Sequence, residues 1–232
     1  MTRGADKTPP GARVWVRVLG PREPARLPRG GLVVDLGAHA AGLYAALRPE
    51  SIGPVRLDGG RQAATLACAM RYLRLYPRLA DARGGPGPRY WHWAGHGLLG
   101  RGDAPLAPWE REEEPMGCVW HGEVMSLVDT TRHVFLPRYC EGVARLPALD
   151  GLRRAASAGR PIAIRTSTAE ARSLAGPGGW QAVAEGRAPI GTAFALGMLL
   201  TLGDSPALDQ LEHGAGLLLQ HAAAPQQPTL DL

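Results

Sequence analysis

Between Pro115 and Arg145 the chain reads PMGCVWHGEVMSLVDTTRHVFLPRYCEGVAR: a short apolar run, a glycine, then apolar side chains at steps of three and four. Met125, Val128, Arg132, Phe135, Tyr139, Val143 and Leu146 recur at the helical period, so a long amphipathic helix with this face inward is expected. Pro137 lies inside it. Proline removes one backbone donor and its ring meets the carbonyl four residues back, so the helix is expected to bend or break between His133 and Leu136. Arg132 is the odd member of the apolar face. Its guanidinium cannot shed a proton and there needs a carboxylate, a phosphate or water. Trp120, His121 and Glu123 stand where a strand hands over to this helix through a tight turn at Gly122, a favoured place for a site.

Upstream, Pro54–Leu57 reads as a strand, Asp58-Gly59-Gly60 as a turn, and Arg61 to about Tyr76 as a helix stopped by Pro77. Ala63, Leu66, Ala67, Met70 and Leu73 form its expected buried stripe. Ala67, Arg71, Arg74 and Arg78 follow at steps of four, three and four beside that stripe. They are either a solvated basic face or a guanidinium clamp on a phosphate or carboxylate. The loop around Glu110–Glu114 is acidic and available to pair with them. In YWHWAGHG, a helix would set His92 and His96 on one face, as metal ligands are set, with Cys118 and His121 as candidates to complete a zinc site. The alternative has Trp91 and Trp93 packing while the histidines hydrogen-bond.

The remaining elements are short. Val14–Leu19 and Leu32–Leu36 have the β-branched content of strands, residues 37–47 suit a short helix, and Ala148–Ala158 suits another. Pro161–Arg165 is a buried strand, Thr166–Gly179 a loop, and Trp180–Glu185 a turn of helix. Ile190–Leu202 is an apolar core helix and 204–220 a final amphipathic one. Strands are few and do not alternate regularly with helices. The expected fold is therefore a compact, mostly helical α+β single domain with a small β-sheet, covering residues 13–221 between flexible tails at 1–12 and 222–232.

Composition narrows the function classes. Arginine supplies 25 of the 26 basic residues, Lys7 is the only lysine, and asparagine is absent, a skew that suggests a GC-rich bacterial genome. The net charge of +5 is spread along the chain, so it favours an anionic small molecule over a nucleic-acid-binding block, and no reader motif for nucleic acid is present. Cys68, Cys118 and Cys140 are few, odd in number and far apart, which points to reduced thiols and a cytoplasmic setting. No apolar run reaches the roughly 18–20 residues that cross a bilayer, so no membrane role is expected. No motif calls for a cofactor, and nothing sets an oligomeric state.

Read in order, several elements form a series. They are the Gly53-Pro54 entry with its Asp58-Gly59 turn, YLRLYP (Tyr72–Pro77), W-x-G-E (Trp120, Gly122, Glu123) and F-L-P-x-Y (Phe135–Tyr139). PIAIR and G-x-A-F-x-L-x-M-L-L (Gly191–Leu200) complete it. This series resembles diverged members of the NADAR (YbiA-like) N-glycosidase superfamily over about residues 52–202. The resemblance implies hydrolysis of an N-glycosidic bond on a nucleotide or ribosyl-phosphate substrate, or a pocket that binds ADP-ribose or a nucleotide without turnover. A basic nucleic-acid-binding protein is the further alternative. Relatives resemble E-x-x-x-Q-x-x-K on the first helix, where this chain has Ala67, Arg71 and Arg74, and G-H-A-F where it has Gly191-Thr192-Ala193-Phe194. An arginine stays protonated and is a poor nucleophile, so a lysine-imine route is expected to be closed. The expected roles are then Glu123 or Asp129 as general base or oxocarbenium stabiliser, Arg71, Arg74 and Arg132 as phosphate holders, and Trp120 or Tyr139 as stacking surface.

Overall fold

The structure, a computed structural model, describes residues 16–19, 22, 24–25, 27–37, 41–100, 104–166 and 191–202. The expected tails, most of the 166–179 loop, the helical turn at 180–185 and the helix at 204–220 lie outside the described residues. In chain order the elements are β1 (Val16–Leu19), β2 (Leu32–Asp35), β3 (Val55–Arg56), β4 (Gln62–Ala63), α1 (Leu66–Tyr72), β5 (Arg74–Leu75), α2 (Pro88–Leu99) and α3 (Pro108–Glu112). Then follow β6 (Gly117–Trp120), β7 (Glu123–Met125), α4 (Leu127–Thr130), α5 (Leu136–Val143), α6 (Pro147–Ser157), β8 (Ile162–Arg165) and α7 (Thr192–Leu202). Short 3-10 turns such as Leu43–Leu47 and Pro77–Leu79 link them.

About half of the described residues are helical and about a sixth lie in strands, the mostly helical α+β class expected. Among the described residues the strands fall into three small sheets. β1, β8 and β2 are parallel with β8 in the middle, and Ile162, Ala163 and Ile164 are fully buried there, as a central parallel strand covered on both faces must be. α7 packs on this sheet, and its residues Ala193–Leu200 are buried. β3 and β4 form a two-stranded hairpin, and β5, β6 and β7 an antiparallel sheet.

The first long helix is shorter than the sequence pattern implies. Gln62 and Ala63 turn back on β3, Val55 opposite Ala63, before the helix begins. Thr65 then caps α1, its Oγ1 accepting the Cys68 N–H at 3.1 Å. The chain leaves the helix at Leu73 so that Arg74 and Leu75 can pair with β6. The buried face is consequently Leu66, Cys68, Ala69, Tyr72 and Leu73, while Ala67 and Met70 are half-buried.

The central helix neither breaks nor follows the expected face throughout. Met125 belongs to β7, and Ser126 caps the helix by accepting the Asp129 N–H at 3.0 Å. Between α4 and α5 the segment Thr131–Phe135 is a π-turn, with the Leu136 N–H bonded to the Thr131 carbonyl. The widened turn restarts the α-helix with Pro137 in its opening turn, where a missing N–H costs little. The extra residue rotates the inward face. Thr130, Thr131 and Val134 join Phe135, Leu136, Tyr139 and Val143 in the interior, while Val128 and Arg132 stay half-buried. Both buried threonine hydroxyls donate back to carbonyls four residues earlier, Ser126 at 2.8 Å and Leu127 at 2.7 Å.

The β5–β6–β7 sheet separates two apolar clusters. Cys118 and Trp120 belong to the larger one with α1, α5, α6 and α7; Leu75 and Val119 belong to a smaller one with Tyr76, Tyr90 and Ala94. Trp93 and Trp109 close the smaller cluster, with ring centroids 5.3 Å apart. No described helix is long and apolar enough to cross a membrane.

Candidate functional site

The β5–β6–β7 register decides which predicted site residues meet. Residues directly opposite each other in a sheet share a face, and so do residues two apart along a strand. Arg74 is opposite Cys118 and Trp120 is opposite Glu123, so Arg74, Cys118, Trp120 and Glu123 all lie on one face. The diagonal from Arg74 to Trp120 spans about 7–8 Å, within reach of a guanidinium, while Glu123 stands one strand further away. Trp120 is half-buried against the larger core and Glu123 is exposed. The Arg74 Nε is buried and has no hydrogen-bond partner among the described residues, an unusual state for a charged donor.

The turn carrying Trp120 and Glu123 is held from outside the sheet. His121 (φ 52°) and Gly122 (φ 80°) both adopt the left-handed conformation of a two-residue hairpin turn, which is uncommon for a histidine. The Asp58 carboxylate, 8% exposed, accepts the His121 N–H with one oxygen and an Arg61 amino N–H with the other. The Arg61 guanidinium lies 5.5 Å from the centroid of Trp91. The two glycine turns of the signature series, Asp58-Gly59-Gly60 and His121-Gly122, are thus bonded together across 63 residues. Asp58 reads as an ordinary turn residue in sequence, and only the three-dimensional pairing gives it a role.

Other expected site residues are committed elsewhere. Arg71 does not face Trp120: its Nε and one amino group form a fork on the Glu110 carboxylate at 2.8 and 2.6 Å, and its amino groups also donate to the carbonyls of Ala104 and Pro105. The expected pairing of the acidic stretch with the arginine row is thus seen at Arg71, whose ligand is the internal Glu110 carboxylate. Arg78 pairs with Glu113 through a single Nε–H bond at a more exposed position. The Asp129 carboxylate accepts the Ser126 hydroxyl at 2.6 Å and closes the start of α4. Tyr139 is 1% exposed and its hydroxyl donates to the Leu47 carbonyl at 3.0 Å. Tyr139 also lines a small apolar hollow with Leu66, Met70, Thr131 and Thr192, about 10 Å³ in volume, room for about one water molecule. Arg132 is half-buried in the π-turn.

Cys118 cannot join His92 and His96 around zinc as arranged, because it is fully buried in β6 while both histidines are exposed on α2. Among the described residues no three His, Cys, Asp or Glu side chains are grouped to hold a metal ion. Burial pushes the Cys118 thiol up to about 11, against the pull of Thr130 and Arg74, and burial with nearby Glu141 pushes Cys140 up to about 11. The thiolate is the reactive form. Both cysteines are therefore expected to resist a disulfide reagent at pH 8 in the native protein and to react once urea unfolds it; rapid native labelling of either would contradict the burial described.

No protein-family model, curated protein or solved structure matches the chain.

Proposed function

We propose that this chain binds an anionic sugar derivative of the nucleotide or ribosyl-phosphate class at the turn end of the β5–β6–β7 sheet, where Trp120 is half-buried and Glu123 exposed, as a non-catalytic relative of NADAR-type N-glycosidases. The observation that carries this reading is the register that puts Arg74, Trp120 and Glu123 on one sheet face, with the buried Arg74 Nε lacking a partner among the described residues. A guanidinium takes phosphate through paired N–H donors, and an indole offers a stacking surface for a base or sugar. Glu123 suits a ribose hydroxyl, since an ionised carboxylate only accepts hydrogen bonds.

Binding is favoured over turnover because the carboxylates available for chemistry are poorly placed for it. Asp129 is engaged by Ser126, and Glu123 is exposed, without the water exclusion that strengthens electrostatic catalysis. The second reading, N-glycoside hydrolysis with Glu123 activating water, is supported by Glu123 standing directly opposite Trp120.

Calorimetric titration with ADP-ribose, AMP and ribose 5-phosphate tests both readings. Removing one charge-assisted hydrogen-bond donor costs about 1.5–3 kcal/mol, so Arg74→Ala is expected to weaken binding about ten- to a hundredfold. Wild-type protein that ignores all three ligands, or an Arg74→Ala variant that binds as well as wild type, sinks the proposal. Release of free base from an ADP-ribosylated or ribosylamino substrate, abolished in Glu123→Gln, selects the hydrolase reading instead. Tight, salt-sensitive binding to long duplexes without affinity for mononucleotides selects a nucleic-acid role.

A further inference from the structure

We propose that His92 and His96 form a two-imidazole chelate for a late first-row divalent ion, of the Zn²⁺ and Cu²⁺ class, on the outer face of α2. The two side chains are one helical turn apart and exposed, and their ring centroids lie 4.7 Å apart. That separation is compatible with a shared ion. An ion about 2.0–2.1 Å from one nitrogen of each ring sits about 3.2 Å from each ring centroid, which sets the centroids about 4.5–5.2 Å apart for angles between square and tetrahedral. The rings can turn about their side-chain bonds, and residues four apart on a helix lie on one face, so closing the chelate calls for side-chain rotation alone.

The scaffold supports the pair from beneath. Tyr90, Ala94, Gly97 and Leu98 bury the opposite face of α2, so the helix presenting both rings is anchored in the core. Gly95, beside the pair on the same exposed side of the helix, has nothing within 4 Å of where a Cβ would be, so no side chain crowds the rings from that flank. His96 is in the last turn of the helix, where the carbonyl ends of the helix dipole favour a cation. Arg89, one turn before His92, is the only arginine of α2 and lies toward its far end.

Two neutral imidazoles fill two coordination positions, and water fills the rest. Imidazole suits zinc, copper and nickel, whereas magnesium and calcium prefer oxygen ligands; among the divalent ions copper is bound most tightly. Protons compete for the same nitrogens, so affinity falls as the pH is lowered. The site is separate from the sheet face proposed to bind a sugar phosphate, and neither depends on the other.

The test is titration of the full-length protein at pH 7.5 with CuCl₂, ZnCl₂ and MgCl₂, read by quenching of tryptophan fluorescence for copper, since Trp91 and Trp93 flank His92, and by calorimetry for all three. Outer partners of a metal-bound histidine cost 10–100-fold in affinity when removed, so loss of a ligand itself is expected to cost at least about tenfold. His92→Gln and His96→Gln should each weaken Cu²⁺ and Zn²⁺ binding by that factor. In the wild type Zn²⁺ should raise the unfolding temperature, and in either variant it should not, because only the folded helix holds the pair in register. Both substitutions are at exposed positions, and unchanged circular dichroism will show that the fold is intact. Variants that bind copper and zinc like the wild type, or magnesium bound as tightly as zinc, overturn the assignment.

Discussion

Arg71→Ala is expected to lower folding stability by about 3–5 kcal/mol at pH 7, the cost of removing one partner of a buried ion pair. The Glu110 side chain is 1% exposed and that of Arg71 14%, so the carboxylate left behind has little water to turn to. Among the described residues its remaining bond is the Ala107 N–H at 2.8 Å. Arg71 also loses its bonds to the Ala104 and Pro105 carbonyls, which tie the 104–110 segment to α1. The pH dependence separates this cause from mere loss of packing. Burial acts to raise the Glu110 carboxyl, but Arg71 and the Ala107 N–H outweigh it and hold the group below its ordinary value of 4.5. A depressed carboxyl stabilises the fold above the unfolded value, and that contribution fades as the pH drops through the folded one. Without Arg71, only the Ala107 N–H and the charge of Arg74 still oppose burial, so the carboxyl rises and folded Glu110 takes up a proton more readily as the solution is acidified. The stability gap between wild type and variant should be widest near neutrality and narrow toward pH 4. Chemical denaturation at pH 7 and pH 4 measures it, and a gap independent of pH would assign the loss to packing instead.

This clamp shows how far such a fold can be read in one dimension. Complementary charge on the 61–78 and 110–114 segments is legible, and the two do pair, although Pro108–Glu112 is a short helix and not the loop expected. Which arginine stays available is not, because that depends on where α1 ends. Arg71 is in the last turn of the helix and Arg74 is already in a strand, so two residues that share a helical row on paper point to different places. β5 has only two residues, too few to display an alternating pattern, and its pairing with β6 is therefore invisible before the register is known. Pro137 marks a disturbance of the central helix correctly. Absorbing it in a π-turn shifts the inward face, and no periodicity argument anticipates an added residue. The Asp58 bond to His121 spans 63 residues and has no local signature. The helical elements and the α+β class, by contrast, follow from patterns local to each segment.

Two glycines two residues apart on α2 give opposite results on substitution, although helix propensity favours alanine at both by about 1 kcal/mol. At Gly97 an added Cβ would lie 2.0 Å from Tyr72 Cδ1 and Cε1, far inside contact distance. The Tyr72 ring has nowhere to retreat: Trp93 packs against it at a centroid distance of 4.8 Å, and the Arg71 guanidinium, fixed by Glu110, lies 4.9 Å from its centroid. The missing side chain is thus what allows α1 and α2 to approach, and the Ala64 N–H reaches the Leu98 carbonyl across that contact at 2.7 Å. Overpacking of a filled core costs about 1–3 kcal/mol and sometimes more; with a rigid ring backed by two neighbours, Gly97→Ala is expected to lose about 2–3 kcal/mol net of the propensity gain. Gly95 is exposed, with open space around its missing Cβ, so Gly95→Ala is expected to gain about 0.5–1 kcal/mol. Urea denaturation of the two single variants reads both signs in one experiment. If Gly97→Ala is as stable as Gly95→Ala, the close approach of α1 and α2 is wrong, and with it the position of Arg71 above the ring.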